Sequence, residues 1–305
     1  MEIVHLPSIA NETLAKWLRH HQNRLTYVQH IQQTVLEHVR PGQNALIVCK
    51  LDVVLANPPI AGWSEHVTQF TNRKPEDDNF HAFPGDFEGR KLGLTWWGGY
   101  GVGANDWHEA DVVLLFDEFH LPRHTVIALA QGMKSAKSTQ APLADMADTS
   151  SKVDEVENIR VGHLLRWLKQ LALRGKARQF DDAGQCSAQK LVLTGDRLLL
   201  VEHRQRLFPG ATVSYKKSAT ATYLEALIDV LVSEGLDDTV RAADVANLMG
   251  VEWRKVTKGL TTHPRFRTLV TAAGWEYVPG RGRRGSMFIR IEPQGAQGGP
   301  LAVVE

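Results

Sequence analysis

The chain has 305 residues, of which 43% are apolar and 23% are charged, and its net charge is +1. This composition is typical of a globular protein and excludes a mostly disordered or collagen-like chain, while the length predicts one large and one small domain. The two cysteines, Cys49 and Cys186, are far apart in the sequence, which excludes a disulfide framework and a cysteine-based zinc site.

The sequence carries no signal for export or membrane insertion. Its first residues lack a basic region followed by an apolar one, and no stretch approaches the roughly 18 consecutive apolar residues of a membrane span. We therefore expect a cytoplasmic protein without a membrane partner. Because the net charge is close to zero, only local clusters of charge can indicate a partner.

The amino-terminal region begins with a helical pattern and continues into a short apolar run. Asn11 is suited to be the N-cap of the helical region, which reaches Val39 and ends at Pro41. The run Ala45–Cys49 follows directly. A short, continuous apolar run is typical of a strand that is covered on both faces in a parallel sheet, so this region predicts an α/β unit.

Further strands and helices complete a first domain over residues 1–215. The other apolar runs typical of buried strands are 92–95, 112–116 and 190–194. A helix is predicted near 159–173, and the polar, Ser-rich residues 134–158 predict a mobile insertion. Strands that alternate with helices favour a layered α/β domain.

Residues 216–293 have a different pattern and form the second predicted domain. Helices are predicted over 223–232, 242–249, 252–261 and 266–273, and strands over 275–278 and 286–291. Helices followed by a two-stranded hairpin are the order of a winged helix-turn-helix domain. The Gly- and Pro-rich residues 294–305 predict a disordered tail.

The most informative stretch joins two of the predicted strands of the first domain. A strand that ends at Thr95 leads into a loop with Gly101 and Gly103, passes Asn105 and Asp106, and returns to a buried strand. Glycines let the backbone approach a phosphate closely, as in loops at nucleotide and nucleic-acid sites. A purely structural turn is the alternative explanation of the glycines.

This order of strand, threonine, Gly-rich loop, Asn-Asp and strand resembles motif V of superfamily 1 and 2 helicases. Motif V belongs to the second of the two RecA-like lobes in that family, and its loop touches both the nucleic-acid backbone and the nucleotide. Leu46–Lys50 looks like the family's motif IV strand. The resemblance implies a RecA-like parallel-sheet domain with helices on both faces.

A basic segment further along the chain resembles motif VI of the same family. Gln170, Arg174 and Arg178 resemble residues of that motif, although no arginine follows Gln170. The resemblance implies that these arginines reach the γ-phosphate across the cleft between the lobes and act in catalysis as arginine fingers. Leu173 stands where the family has a glycine, and Arg178 lies one residue further along the chain than the family's second arginine. Either Arg174 or Arg178 could therefore be the finger. A solvated basic helix face is the alternative explanation.

The residues Asp117–His120 imitate a Walker B box of the DExH kind. That interpretation requires a P-loop upstream, and no such pattern occurs in the 305 residues. We favour the motif V assignment, in which an amino-terminal lobe outside this sequence completes the ATP site. The chain alone is then expected not to hydrolyse ATP, to bind ATP and Mg²⁺ only together with that lobe, and to hold no other metal.

Two basic clusters in the second domain predict contacts with the DNA backbone. They are Arg254, Lys255 and Lys258 on the predicted recognition helix, and Arg281, Arg283 and Arg284 at the hairpin tip. Neighbouring arginines repel one another, which disfavours packing but suits phosphates or the minor groove. A winged helix can also serve as a protein-interaction module.

The sequence as a whole predicts the carboxyl-terminal half of a helicase-like, nucleic-acid-dependent ATPase that binds DNA. The alternative is a non-enzymatic DNA-binding adaptor with a degenerate RecA-like scaffold. The two hypotheses differ in whether ATP is hydrolysed once an amino-terminal lobe is supplied.

Overall fold

The chain divides into two compact units in its computed structural model. The first unit comprises residues 1–195 and 207–216, and the second comprises 196–206 and 217–305. The structure describes residues 1–9, 14–54, 81–82, 89–98, 107–134, 154–216, 222–232, 235–280 and 285–291. Most of the predicted insertion at 134–158 and the whole predicted tail at 294–305 lie outside these ranges.

A seven-stranded sheet forms the centre of the first unit. Its strands are β1 (Glu2–His5), β2 (Asn44–Cys49), β3 (His81–Ala82), β4 (Lys91–Trp96), β5 (Val112–Leu115), β6 (Lys190–Leu193) and β7 (Thr212–Tyr215). Their order is β3-β4-β2-β5-β6-β1-β7, and all pairs are parallel except β3 with β4. The prediction of an α/β fold with a parallel sheet is confirmed, although β1, β3 and β7 were not predicted.

The central position of β2 explains its continuous apolar sequence. Ile47 lies opposite Leu94 of β4 on one side and Leu114 of β5 on the other. Side chains alternate between the faces of a strand, and both sets are buried here: Ile47 belongs to the main core cluster, while its neighbours Leu46 and Val48 are equally inaccessible. Both faces of β2 are therefore covered.

Helices cover the sheet of the first unit. They are α1 (Leu14–Trp17), α2 (His21–His38), α3 (Leu51–Val54), α4 (Arg123–Lys134) and α5 (Asp154–Ala172). Val28, Ile31 and Val35 form the apolar face of α2 against the main core, and α5 contacts β5. Among the described residues, no helix combines the length and the apolar character needed to cross a bilayer.

The second unit combines helices with a small antiparallel sheet. Its elements are α6 (Arg197–Leu207, of which residue 207 groups with the first unit), α7 (Tyr223–Val232), β8 (Thr239–Arg241), α8 (Ala242–Leu248), α9 (Trp253–Thr261), α10 (Phe266–Ala272), β9 (Trp275–Val278) and β10 (Met287–Arg290). The sheet order is β8-β10-β9. Its core contains the buried Trp275, whose indole N–H donates to the Leu231 carbonyl at 2.7 Å.

Helix α6 groups with the second unit although the strands before and after it belong to the first. Arg265, at the start of α10, donates from Nη1 to Asp196 Oδ2 (3.1 Å) and from Nη2 to Glu202 Oε2 (2.9 Å). Burial tends to lower the pKa of Arg265, but the two carboxylates outweigh it and raise that pKa overall. Residues 196–206 had been predicted as part of the first domain.

Candidate functional site

The predicted site residues of the first unit lie at opposite edges of the parallel sheet. Thr95 is close to the end of β4, at the edge where the parallel strands finish, called here the carboxyl edge. Helix α5 ends near the opposite, amino edge, because the Lys176 N–H donates to the Ala110 carbonyl (3.0 Å) just before β5 begins. Arg174 and Arg178 therefore belong to the amino edge.

Two segments that are distant in sequence are bonded together at the amino edge. Lys176 Nζ lies 2.5 Å from Asp111 Oδ1, and the Gln179 side-chain amide donates to the His108 carbonyl at 3.1 Å. Asp111 also accepts the Asn44 N–H through Oδ2 (2.9 Å). The residues that follow the Gly-rich loop are thus held against those that follow α5, an arrangement that the sequence did not predict.

A glycine makes this close approach possible. A side-chain carbon at Gly175 would lie 2.5 Å from the Ala110 carbonyl oxygen and 2.6 Å from Gln189 Oε1, closer than real contacts allow. Gln189 closes the same turn, since it accepts the Ala177 N–H (2.9 Å) and donates to the Ala172 carbonyl (2.6 Å). In the sequence, the only indication of this turn is Gly175 within a basic segment. No sequence pattern predicts a role for Gln189.

The two candidate arginines differ in accessibility. Arg174 is only 6% exposed, and Gln170 is half-buried on α5. Arg178 is exposed and ends a single 3₁₀ turn, Lys176–Arg178, which Lys176 anchors to Asp111. Arg178 is therefore the more accessible of the two arginines.

The residues Asp117–His120 occupy the carboxyl edge at the end of β5. Asp117 is in the left-handed region, with φ of 64°, a conformation in which aspartate and asparagine are enriched among non-glycine residues. Its carboxylate accepts the Tyr27 hydroxyl, and its N–H donates to Thr194 Oγ1 at 2.8 Å. The Lys50 ammonium donates to the Glu118 carbonyl.

The other side chains of this segment also have partners within the unit. Glu118 Oε2 lies 2.9 Å from His120 Nε2, and the other ring nitrogen of His120 lies 2.9 Å from an Arg160 Nη1. The Phe119 ring packs edge-on against Trp167, with 5.1 Å between ring centres. The segment therefore connects β5 to α5 by packing and hydrogen bonding.

Removal from water makes the Asp117 carboxyl less acidic. This desolvation, helped by the nearby Glu118 carboxylate, raises the pKa of Asp117 from 3.8 to about 6, although the Tyr27 hydroxyl and Lys50 act in the opposite direction. The folded protein therefore disfavours the ionised form. Stability is expected to rise as the pH falls through about 6 and to be lost as the pH rises through that value.

We expect Asp117→Asn to stabilise the protein at pH 8. Asparagine tolerates the left-handed backbone and can still accept the Tyr27 hydroxyl, but it never ionises. Because burial raises the pKa of Asp117 to about 6, we expect the stabilisation to be about 3 kcal/mol at pH 8 and roughly half of that at pH 5. Urea denaturation at the two pH values measures the difference, and the exposed Asp182→Asn is the control. An equal effect at both pH values would contradict the assignment.

The predicted Gly-rich loop is described only at its beginning. Thr95 is 1% exposed, and its hydroxyl oxygen has no hydrogen-bond partner among the described residues. Gly101, Gly103, Asn105 and Asp106 lie outside the described residues. Thr95 thus lies beneath the start of the loop, near the same edge as Lys50 and Asp117.

Three of the six predicted DNA-binding residues of the second unit lie on α9. Arg254, Lys255 and Lys258 are all exposed, and Lys255 pairs with Glu252 at 2.8 Å, an exposed pair that contributes little stability. Arg281, Arg283 and Arg284 lie outside the described residues. The base of their hairpin is held by Ser286, whose hydroxyl accepts the Gly280 N–H at 3.1 Å.

No family model, curated protein or solved structure matches this chain. In the described part of the chain, no three His, Cys, Asp or Glu side chains come together in a way that could hold a metal ion.

Proposed function

We propose that this chain is the carboxyl-terminal half of a helicase-like, DNA-binding ATPase, with the first unit as its second RecA-like lobe. The observation that carries this proposal is the bonding of residues 107–111 to residues 176–179 at the amino edge. These are the segments that adjoin the motif V-like loop and the motif VI-like arginines. This association supports the proposal because the resemblance implies that motifs V and VI act at one ATP site.

In this proposal Arg178 is the arginine finger. It is exposed at the amino edge on a turn anchored by the Lys176–Asp111 ion pair. ATP and Mg²⁺ would be held by a P-loop lobe outside these 305 residues, and Arg178 would approach the γ-phosphate from this lobe. A guanidinium there stabilises charge that develops as the phosphoryl group is transferred.

The surroundings of Asp117 support the second-lobe assignment over a Walker B site. A Walker B aspartate must direct its carboxylate toward Mg²⁺ beside a P-loop. The Asp117 carboxylate instead accepts the Tyr27 hydroxyl, and the neighbouring Glu118 pairs with His120.

The second unit would bind DNA as a winged helix. Its order of α7, β8, α8, α9 and a β9–β10 hairpin, with the extra helix α10, supports this assignment, as does the antiparallel sheet β8-β10-β9. Helix α9 would be the recognition helix, since Arg254 and Lys258 are exposed one turn apart. The hairpin arginines would contact the backbone or the minor groove.

One observation favours the alternative, a DNA-binding adaptor on a degenerate scaffold. Arg174 is buried, so only one of the two motif VI-like arginines faces solvent. The resemblance to motif VI implies that more than one arginine reaches the γ-phosphate. An adaptor would keep the DNA-binding unit and would not hydrolyse ATP with any partner.

We expect the purified chain to show no Mg²⁺-dependent ATP hydrolysis, because its sequence lacks the P-loop pattern whose lysine and amides hold the phosphates. Addition of the polypeptide encoded immediately upstream should produce DNA-stimulated hydrolysis if that polypeptide carries the P-loop. A coupled phosphate-release assay measures both.

Two results would change this conclusion. Turnover by the chain alone that is lost in Asp117→Ala would make Asp117–His120 a true Walker B box. DNA binding without any turnover, when a P-loop lobe is shown to associate with the chain, would favour the adaptor.

A further inference from the structure

A short hairpin lies at the amino edge of the first unit. We call residues 179–187, which connect the 3₁₀ turn after α5 to the start of β6, the amino-edge hairpin. Its two arms meet at an antiparallel bridge between Phe180 and Cys186. All residues from Phe180 to Cys186 are exposed, so the rest of the unit covers little of this segment.

The amino-edge hairpin is held in one shape by hydrogen bonds within it. The Asp181 carboxylate accepts the Ala183 N–H at 3.0 Å and the Gln185 N–H at 2.7 Å, both through Oδ1. Gly184, in the turn, has φ of 75°, a left-handed conformation that glycine adopts without steric cost. An ordered tip loses little conformational entropy when a partner covers it.

Phe180 is the most exposed large apolar side chain in the described part of the chain, at 66%. The preceding Gln179 has an extended backbone, and its side-chain amide donates to the His108 carbonyl of the same unit. Side chains alternate in direction along an extended backbone, so Phe180 faces away from the unit. Aromatic side chains in such positions are enriched at protein interfaces, where they act as anchors.

The position of Phe180 beside Arg178 indicates which partner would cover it. A single exposed apolar side chain is common on protein surfaces and indicates no partner by itself. Consecutive Cα atoms are about 3.8 Å apart, so those of Arg178 and Phe180 lie within about 7.6 Å of each other. If the Arg178 guanidinium reaches a phosphate held by the P-loop lobe, Phe180 comes close to the surface of that lobe. The P-loop lobe is therefore the expected partner.

The charge of the amino-edge hairpin disfavours nucleic acid as the partner. Residues 179–187 contain Asp181 and Asp182 but no lysine or arginine. Both aspartates are exposed, and their carboxylates would repel the phosphates of a DNA backbone. A protein surface with an apolar recess beside a basic side chain fits these features.

We propose that the amino-edge hairpin is a docking element for the P-loop lobe, with Phe180 inserted into an apolar recess of that lobe. This inference rests on the proposed function and extends it, since it names a surface that holds the two lobes together. Phe180 would contribute to the affinity between the lobes, whereas Arg178 would act on the phosphoryl group. The two residues therefore have separable effects.

The test separates the affinity between the lobes from the rate of hydrolysis. We expect Phe180→Ala to raise the Kd between the full chain and the P-loop-bearing polypeptide encoded upstream by about 10- to 100-fold, the effect of losing a buried phenylalanine side chain. At saturating concentration of that polypeptide, kcat should stay at the wild-type value, because Phe180 touches no phosphate. Anisotropy of the labelled upstream polypeptide gives Kd, and phosphate release gives kcat.

The matched control is Leu51→Ala, which truncates an exposed apolar side chain at the carboxyl edge, just after β2 ends. It should leave Kd unchanged, and Phe180→Leu should recover most of the affinity because it keeps an apolar side chain. Phe180→Ala should unfold at the same urea concentration as the wild type, because the side chain that it removes is exposed.

Cys186 provides a second measurement on the wild-type chain. It is exposed and lies across the hairpin from Phe180, whereas Cys49, the only other cysteine, is buried. A maleimide should therefore label Cys186 alone, and a saturating amount of the upstream polypeptide should slow this labelling by about tenfold or more, because thiol reactivity depends on access. Mass spectrometry follows the labelling.

Several results would overturn the hairpin proposal. They are a wild-type Kd in Phe180→Ala, undiminished labelling of Cys186 in the complex, or labelling that is slowed by DNA alone or by raising the concentration of the chain alone. If the wild-type complex nevertheless hydrolyses ATP with DNA stimulation, the proposed function stands and only the hairpin is wrong. If the upstream polypeptide carries no P-loop or does not bind the chain, both fail.

Discussion

Replacing Arg178 with alanine is expected to lower kcat for ATP hydrolysis by roughly 10³–10⁵-fold once the P-loop lobe is supplied, the range known for arginine fingers. The guanidinium would contact charge that develops only in the transition state, so its loss should lower kcat and leave nucleotide affinity nearly unchanged. Single-turnover hydrolysis and binding of a fluorescent ATP analogue to the assembled lobes separate the two effects.

Two neighbouring arginines serve as controls for that experiment. Arg166→Ala removes an exposed guanidinium from the same helix region and should leave kcat unchanged. Arg174→Ala removes a buried one and should lower the stability of the first unit by about 2 kcal/mol or more, through lost packing and hydrogen bonds. Normal turnover in Arg178→Ala would refute the finger assignment.

The hairpin arginines are expected to carry the largest share of the salt dependence of DNA binding. Replacement of Arg281, Arg283 and Arg284 together by alanine should reduce the slope of log K against log salt on duplex DNA by up to about 2.7, since each phosphate contact accounts for about 0.9. Weakening should be similar for unrelated sequences, because backbone contacts do not read bases. Anisotropy titrations at several salt concentrations give the slope.

The triple Arg→Lys variant is the matched control, because it keeps the charge and should retain the slope. Stability should change by no more than about 0.5 kcal/mol in either variant, because a charged, Gly-rich turn is expected to contribute little packing. An alanine variant that binds as tightly as the wild type, with the same slope, would leave the hairpin a purely structural element and favour a protein-interaction role for the second unit.

The central strands and the helices of the second unit could be predicted because their signals are local. The Ala45–Cys49 run is apolar at every position since β2 is covered on both faces, and α9 shows a clear apolar face at Val256 and Leu260. Strands β1 and β7 were missed. Both mix polar and apolar residues and so lack a continuous apolar run. Their pairing joins Glu2 to Lys190 and to Thr212, partners that no local pattern can indicate.

The candidate site was predictable in its residue types but not in its geometry. The basic segment and the Gly-rich loop were visible as sequence patterns, yet the accessibility of Arg178 and the burial of Arg174 depend on a turn that Gly175 and Gln189 close. Likewise, Asp117 resembles the aspartate of a Walker B box in the sequence. Its carboxylate instead accepts a hydroxyl from Tyr27, 90 residues away along the chain.

The sequence by itself determined the parallel α/β class of the first unit and the helix-rich second unit with its hairpin, because hydrophobic periodicity records which faces are buried. Tertiary structure alone decided that α6 groups with the second unit, through the contacts of Arg265 with Asp196 and Glu202. It also decided which arginine faces solvent. The physical reason is the same in both cases: ion pairs and close backbone approaches join residues tens of positions apart, and periodicity carries no information about them.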